Sequence, residues 1–211
     1  MRFTDAGFWV PLVLLAILAG CATPGVREAA PGKPAAATKV EPPVPAPARQ
    51  AYAQALASLQ AGRHKEAETV LLELTRKYPE LSGPYANLGI LYYRTGRPTE
   101  AVEMLNRAIG INSQQAAYYN QLGVIQRSNG RFAEARTAYS RALEVDVNYP
   151  FAHLNLGILY DLYLGEPDRA VAHYQRYGEL NPADAKQVEK WIADLKQRMQ
   201  KPTTSSKKEP E

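Results

Sequence analysis

The sequence predicts an all-α fold, a solenoid of four helix–turn–helix repeats closed by a C-terminal capping helix. Gly89, Gly123 and Gly157 recur at a spacing of 34 residues, and a set of alanines beginning at Ala67 keeps the same period. Between these positions apolar residues recur every three or four residues, which is the spacing of an amphipathic helix. Such a period is typical of stacked helix pairs, because one pair cannot bury its apolar face alone.

The first element of the chain is an apolar stretch at residues 7–19. It is too short to span a bilayer, which takes ~20 apolar residues, but it has the length of the apolar core of a signal peptide. It ends in the tetrapeptide LAGC, whose Cys21 is the only cysteine of the 211-residue chain. Residues 1–21 are therefore predicted to be an export signal.

The tetrapeptide resembles the lipobox of bacterial lipoproteins. The resemblance implies cleavage before Cys21 and acylation of that residue, and two or three acyl chains together hold a protein stably on a membrane. In that family an aspartate after the cysteine marks retention at the inner membrane. Here Ala22 follows, so the implied location is the periplasmic side of the bacterial envelope, with the outer membrane favoured. An ordinary secretory signal with an incidental cysteine is the alternative.

Residues 22–47 form the second segment, in which seven of the 26 residues are proline and none is aromatic. Proline at this density excludes a helix and favours extended polyproline II, which rises ~3.1 Å per residue. We expect a tether that holds the folded part clear of a membrane, and a proline-motif ligand is the alternative. The polar residues 201–211 are expected to be a disordered tail.

The repeats carry fixed aromatic, leucine, glycine and alanine positions. The first half of a unit reads YxxLGxxY at 85–92, YxxLGxxQ at 119–126 and HxxLGxxY at 153–160, and the second half reads AxxxL or AxxxY. This pattern resembles the tetratricopeptide repeat (TPR). The resemblance covers about two thirds of the chain and implies four units, at residues 48–81, 82–115, 116–149 and 150–184.

The two ends of the array depart from this pattern. Unit one lacks the aromatic and glycine positions, as terminal repeats with one face in water do. After unit four, residues 185–200 are predicted to form the capping helix. Their apolar side chains fall along one helical face: Val188, Trp191, Ile192, Leu195 and Met199.

Each unit is expected to cross its two helices closely, at the glycine of the first helix and the alanine of the second. The turn between them is expected to have a glycine at the C-terminus of the first helix, because the chain commonly takes the left-handed conformation there. These turn glycines keep the period with a single extra residue before Gly165: Gly62, Gly96, Gly130 and Gly165.

No constellation for catalysis is found. His64, His153 and His173 lie in three different helical contexts without partners at ligand spacing, and His153 is expected to be packed. A phosphate-binding glycine loop, a zinc-protease motif and a nucleophile elbow are all missing from the sequence. We therefore expect neither an enzyme nor a bound metal or cofactor. The formal charge of +4 is divided among tether, repeats and tail, which leaves no basic stripe for nucleic acid.

The resemblance implies a concave binding surface lined by the first helix of each unit. Amides at Asn87, Gln121 and Asn155 lie 34 residues apart and would form a row that hydrogen-bonds an extended backbone. Arg94 and Arg127 add donors suited to a carboxylate. Ordinary solvated helix faces are the alternative. The groove residues carried over are Tyr52, Asn87, Ile90, Tyr93, Arg94, Asn120, Gln121, Val124, Arg127, Leu154, Asn155, Ile158 and Asp161.

These features favour a lipid-anchored periplasmic adaptor that binds protein or peptide partners during the assembly of envelope complexes. The chain is similar to outer-membrane TPR lipoproteins, some of which are pilotins for pilus or secretin channels and others scaffolds for cell-wall enzymes or transport complexes. The alternative is an accessory protein that binds a cell-wall polymer or small ligand through its tyrosines. Against that alternative, six of the thirteen tyrosines occupy predicted core positions: Tyr85, Tyr92, Tyr119, Tyr139, Tyr160 and Tyr174.

Overall fold

The computed structural model describes residues 43–200, and this part of the chain folds into nine α-helices without a strand. The predicted all-α solenoid is confirmed. A π-helical turn at Tyr160–Leu164 follows α7, and a 3₁₀ turn at Pro182–Asp184 precedes α9. The helices are α1 Ala46–Gln60, α2 His64–Lys77, α3 Ser82–Arg94, α4 Pro98–Ile111, α5 Ala116–Ser128, α6 Phe132–Val145, α7 Pro150–Leu159, α8 Pro167–Leu180 and α9 Ala185–Gln200.

The export signal with Cys21, the tether up to residue 42 and the tail at 201–211 lie outside the described residues. Helix α1 begins at Ala46, so the last two residues expected in the tether are helical. Pro47 is compatible with this because the amides of the first turn have no helical partner. Between residues 43 and 200, no helix is both long and apolar enough to cross a bilayer.

The helices pack in successive pairs, α1 with α2, α3 with α4, α5 with α6 and α7 with α8, and each pair contacts the next. The apolar interior is therefore shared along the array. Helix α9 packs against α8 and buries Val188 and Leu195. Trp191 and Ile192 pack against the same cluster, whereas Met199, one residue from the end of α9, is 43% exposed.

The helices cross closely at the predicted glycines. A Cβ atom added to Gly123 would lie 2.5 Å from the ring of Tyr139, and one added to Gly157 would lie 2.5 Å from the ring of Tyr174. Both separations are far below van der Waals contact. The missing side chains therefore let two tyrosine rings of the second helices pack directly against the backbones of the first helices.

The extra residue of unit four is absorbed before Gly165, where α7 passes into the π-helical turn Tyr160–Leu164. A π turn closes its hydrogen bonds over one more residue than an α turn. Beyond it the register is restored, since Ala170 of α8 is fully buried in the same way as Ala135 of α6. The glycine in each inter-helix turn has the predicted left-handed backbone, with φ between 64° and 78°.

The predicted core tyrosines are buried. All six are at most 9% exposed, and His153, expected to be packed, is 9% exposed. These six tyrosines therefore pack within the array and themselves offer little surface to a ligand. They are Tyr85, Tyr92, Tyr119, Tyr139, Tyr160 and Tyr174.

Candidate partner-binding groove

Most predicted groove residues of the first helices remain accessible. Arg94 is exposed, and aromatic, amide, charged and aliphatic side chains on α1, α3, α5, α7 and the π turn are partly buried. A mixed surface of this kind presents both apolar contact area and hydrogen-bonding groups. The partly buried groove residues are Tyr52, Asn87, Ile90, Tyr93, Gln121, Val124, Arg127, Asn155, Ile158 and Asp161.

Two residues predicted for the groove lie inside the array instead. Asn120 is fully buried, and its Oδ1 accepts a hydrogen bond of 3.0 Å from Nδ2 of Asn155 in the next unit. Leu154 is 8% exposed and packs in the cluster that contains Tyr139. Both side chains face a neighbouring unit, so they stabilise the stacking and add no surface for a partner.

The predicted amide row also serves the stacking of units. Nδ2 of Asn87 donates to the Tyr52 hydroxyl of unit one and to the Gly83 carbonyl, the latter at 3.1 Å. Asn155 donates to unit three as described above. Asn87 and Asn155 thus each donate to a side chain 35 residues earlier in the sequence. Of the three side-chain amides, that of Gln121 alone makes no hydrogen bond within residues 43–200, so the row offers a partner fewer donors than predicted.

A cluster in unit four joins the π turn to the capping helix. The Tyr174 hydroxyl, which has crossed the backbone at Gly157, donates to Oδ2 of Asp161 at 3.3 Å. Nη2 of Arg198 on α9 donates to both Asp161 oxygens, at 2.9 and 3.2 Å. Burial raises the pKa of Tyr174, and the Asp161 carboxylate raises it further, so the hydroxyl stays protonated as a donor. The side chain of Asp161 is only 6% exposed.

Unit three has an equivalent cluster with a different charge. Tyr139 crosses the backbone at Gly123, and Arg127 follows that glycine by four residues, as Asp161 follows Gly157. The Tyr139 hydroxyl and Nε of Arg127 are buried, and neither has a hydrogen-bond partner among the described residues. Burial raises the pKa of Tyr139 to about 12, although the nearby Arg127 guanidinium acts to lower it.

Two further tyrosines surround this cluster. The guanidinium carbon of Arg127 lies 5.8 Å from the ring centroid of Tyr163 in the π turn. Tyr163 is 44% exposed and its ring lies 4.7 Å from that of Phe132. Tyr93 and Tyr163 are also close enough to Tyr139 to raise the pKa of its hydroxyl slightly. Arg127 thus lies among phenol groups, with its guanidinium near the accessible face of Tyr163.

Arg94, predicted to act with Arg127, occupies a different position in the repeat. By the 34-residue period Arg94 is equivalent to Ser128, whereas Arg127 is equivalent to Tyr93 and Asp161. The sequence placed the two arginines on one surface without distinguishing these positions. Arg94 is exposed at the end of α3, so Arg127 alone belongs to the cluster described above.

Two histidines that seemed unrelated in the sequence meet between α7 and α8. Nδ1 of His153 lies 3.0 Å from Nδ1 of His173, and Nε2 of His153 lies 3.1 Å from the Val147 carbonyl. Burial lowers the pKa of His173 to about 4, and the neighbouring His153 and Arg169 lower it in the same direction. Within residues 43–200, no group of three acidic, histidine or cysteine side chains could hold a metal ion.

The sequence prediction missed the contacts that second-helix tyrosines make with residues of the candidate groove. Tyr139 and Tyr174 stand where Leu71 and Leu105 stand in the first two units, and they were assigned to the core alone. A tyrosine in place of leucine, opposite a glycine, was the available signal. It indicates a hydroxyl that extends past the first helix backbone to the residue four positions after the glycine. No comparable signal pointed to Arg198, because its contact with Asp161 depends on the orientation of α9.

The sequence profile of the tetratricopeptide repeat matches the chain three times, at residues 52–117, 86–153 and 120–185. Together these matches cover more than half of the chain. No curated protein sequence matches it. Among solved structures, that of pilF from Pseudomonas aeruginosa is 27% identical with a TM-score of 0.65, and the match covers 72% of this chain and 70% of that one.

Two other solved structures share the fold at lower identity. A thermophilic TPR protein of Thermus thermophilus is 24% identical with a TM-score of 0.61, over 71% of this chain and 81% of that one. The first TPR of Spaghetti (RPAP3), bound to an HSP90 peptide, is 17% identical with a TM-score of 0.53, over 57% of this chain and 94% of that one.

Proposed function

The chain belongs to the tetratricopeptide repeat family, and on that premise we propose that it is an adaptor that holds a protein or peptide partner against its first helices. One observation carries this proposal. Side chains on successive first helices stay partly exposed, among them Ile90, Tyr93 and Val124, although Val124 also packs against the buried cluster that contains Tyr139. A continuous surface that combines such apolar contacts with hydrogen-bonding groups suits a polypeptide ligand.

We also propose that the adaptor works in the bacterial envelope, anchored through acylated Cys21. The LAGC tetrapeptide and the proline-rich segment after it support this location. A tether of this composition would let the TPR array reach a partner at a distance from the membrane. Ala22 after the cysteine favours the outer membrane.

Among envelope machineries, assembly of a pilus is the process we favour. The support is the similarity to pilF of P. aeruginosa, which is 27% identical to this chain over a match that covers 72% of it. The general resemblance to TPR lipoproteins that act as pilotins points the same way. Secretion, cell-wall and transport complexes are the other processes served by proteins of this organisation.

In-cell photocrosslinking tests the adaptor role. A photoreactive residue is placed at Tyr93 or Val124, on the proposed binding surface, and as matched controls at Arg107 and Arg136, which are exposed on the second helices α4 and α6. The proposal predicts discrete protein adducts from the first pair of sites and none from the controls, and mass spectrometry of the adducts names the partner.

The same experiment separates the adaptor from a protein that binds cell-wall polymer. Retention of the full-length chain on isolated cell wall, without protein adducts from Tyr93 or Val124, would replace the adaptor proposal. Equal adducts from all four sites would also contradict it, because they would show contact by proximity alone.

A further inference from the structure

Units three and four contain the same arrangement of tyrosine, glycine and a charged residue. In each, a tyrosine ring of the second helix lies across a glycine of the first helix, and the charged residue follows that glycine by four positions. Residues four apart lie on one face of a helix. The hydroxyl of the tyrosine is therefore directed to the same place in both units, beside Asp161 in one and beside Arg127 in the other.

The arrangement is complete in unit four and incomplete in unit three. In unit four the hydroxyl of Tyr174 and the guanidinium of Arg198 both donate to the carboxylate of Asp161. In unit three the Tyr139 hydroxyl and Nε of Arg127 are also donors, but no acceptor for either is found among the described residues. The missing component is a carboxylate.

We propose that Arg127 and the Tyr139 hydroxyl form a subsite for one carboxylate of the bound partner, which supplies the acceptor that Asp161 supplies in unit four. The inference rests on the adaptor role proposed above and identifies the chemistry that its groove selects. Tyr139 is 0% exposed, so its unpaired hydroxyl is held in place before any ligand arrives. Such preorganisation reduces the entropy lost on binding.

The charge and shape of the subsite fit a carboxylate. A guanidinium presents parallel donors that match the two carboxylate oxygens. Arg198 is already bound to Asp161 at 2.9 Å, whereas the charge of Arg127 is not paired with a carboxylate among the described residues. The Tyr163 ring, 5.8 Å from the Arg127 guanidinium and 44% exposed, offers apolar surface for the methylene or backbone atoms that carry the carboxylate.

The carboxylate could come from an acidic side chain or from the C-terminus of the partner. Three alanine-based pentapeptides distinguish these sources. One has a central glutamate and blocked termini, the second a central glutamine and a free C-terminal carboxylate, and the third a central glutamine and blocked termini. Each is titrated into the full-length chain carrying Cys21→Ser, and the arginine Nε–Hε signals and backbone amides of α5 are followed by NMR.

The subsite predicts that a carboxylate peptide shifts the Arg127 Nε–Hε signal and the neutral peptide does not. Which of the two carboxylate peptides binds more tightly identifies the source. Tyr139→Phe, which removes only the hydroxyl, and Arg127→Gln should each weaken that peptide by about tenfold, the scale of one charged hydrogen bond. Arg136→Gln, a matched loss of an exposed cation on the second helix α6, should leave the affinity unchanged.

Equal binding of the neutral and carboxylate peptides would overturn the subsite, and so would unchanged carboxylate affinity in a folded Tyr139→Phe variant. Melting curves of each variant show whether the fold is kept. Arg127→Lys is a second variant, which keeps the charge but loses the planar pair of donors. We expect its affinity to be intermediate. Specific crosslinks from Tyr93 without any carboxylate preference would remove the subsite and leave the adaptor role standing. Carboxylate binding without any protein crosslinks in cells would support the subsite and contradict the adaptor role.

Discussion

The guanidinium of Arg97 binds the carboxylate of Glu68 through two parallel hydrogen bonds, both 2.9 Å long. The same guanidinium lies 3.9 Å above the ring of Tyr92. Glu68 belongs to α2 of unit one, whereas Arg97 lies in the turn before α4 of unit two. This ion pair therefore connects the degenerate first unit to the regular array. The planar guanidinium pairs with the carboxylate along its edge and packs on the Tyr92 ring with its face.

We expect Glu68→Gln to lower the melting temperature by a few degrees and to leave the affinity for a partner unchanged. Hydrogen bonding from Arg97 lowers the pKa of Glu68, so its contribution is present above the usual carboxyl pKa and is lost as the pH falls below it. Thermal melts at neutral and acid pH measure this effect. Glu144→Gln, which breaks an exposed pair with Arg141 on one helix, is the control and should change little.

Gly123→Ala tests the close crossing in unit three. The added Cβ would lie 2.5 Å from the Tyr139 ring, so we expect the free energy of unfolding to fall by about 1–3 kcal/mol. Gly110→Ala is the matched control, because a Cβ there meets no atom within 4 Å, and removing a helical glycine stabilises by up to about 1 kcal/mol. Denaturant titration measures both, and equal effects at the two glycines would refute the crossing.

Asp161→Asn tests the attachment of the capping helix. Loss of the carboxylate weakens the contacts to Tyr174 and Arg198, and we expect a cost of about 1 kcal/mol concentrated in α9. Hydrogen exchange should show faster exchange of the α9 amides, with α3 to α6 unchanged. Asp194→Asn is the control, since Asp194 also contacts Arg198, at 3.1 Å, but is half exposed. Unaltered protection of α9 in the first variant would contradict this role of Asp161.

The His153–His173 pair predicts an acid-sensitive stability. Burial holds the pKa of His173 near 4 rather than its usual 6.5. Between these two pH values His173 is therefore protonated in the unfolded chain but neutral in the folded protein. Stability is thus full above pH 6.5 and falls progressively toward pH 4. In His173→Gln the decline between pH 6.5 and pH 5, above most carboxyl titration, should be smaller, whereas His64→Gln should retain it. Denaturant titrations across this range decide the matter.

Cys21→Ser tests the proposed anchor. We expect loss of radiolabelled palmitate incorporation and release of the protein from the membrane fraction. The circular dichroism and melting curve of the helical array should not change, since residue 21 precedes the folded helices. Membrane association equal to that of the parent would show that the attachment does not depend on this cysteine.

The period of 34 residues was sufficient to predict the helices, the close crossings and the turn glycines, because these depend on contacts within one repeating unit. Contacts between units were harder to predict. Asn120 and Asn155 occupy different positions of the repeat, so their hydrogen bond could not be inferred from equivalent residues. His153 and His173 lie on separate helices and come together only when α7 packs on α8. The role of Asp161 required the position of α9, which belongs to no repeat.

The π turn at Tyr160–Leu164 changes what a one-residue insertion does to a periodic protein. An insertion inside a helix would ordinarily rotate every later side chain by about 100° relative to the core, since an α-helix has 3.6 residues per turn. Here the rotation is confined to one turn, and Ala170 and Tyr174 beyond it remain buried. At the end of a first helix, a residue can therefore be added without changing how the following helices stack. Evolution, or a designer, could vary the surface there one residue at a time while the rest of the array keeps its contacts.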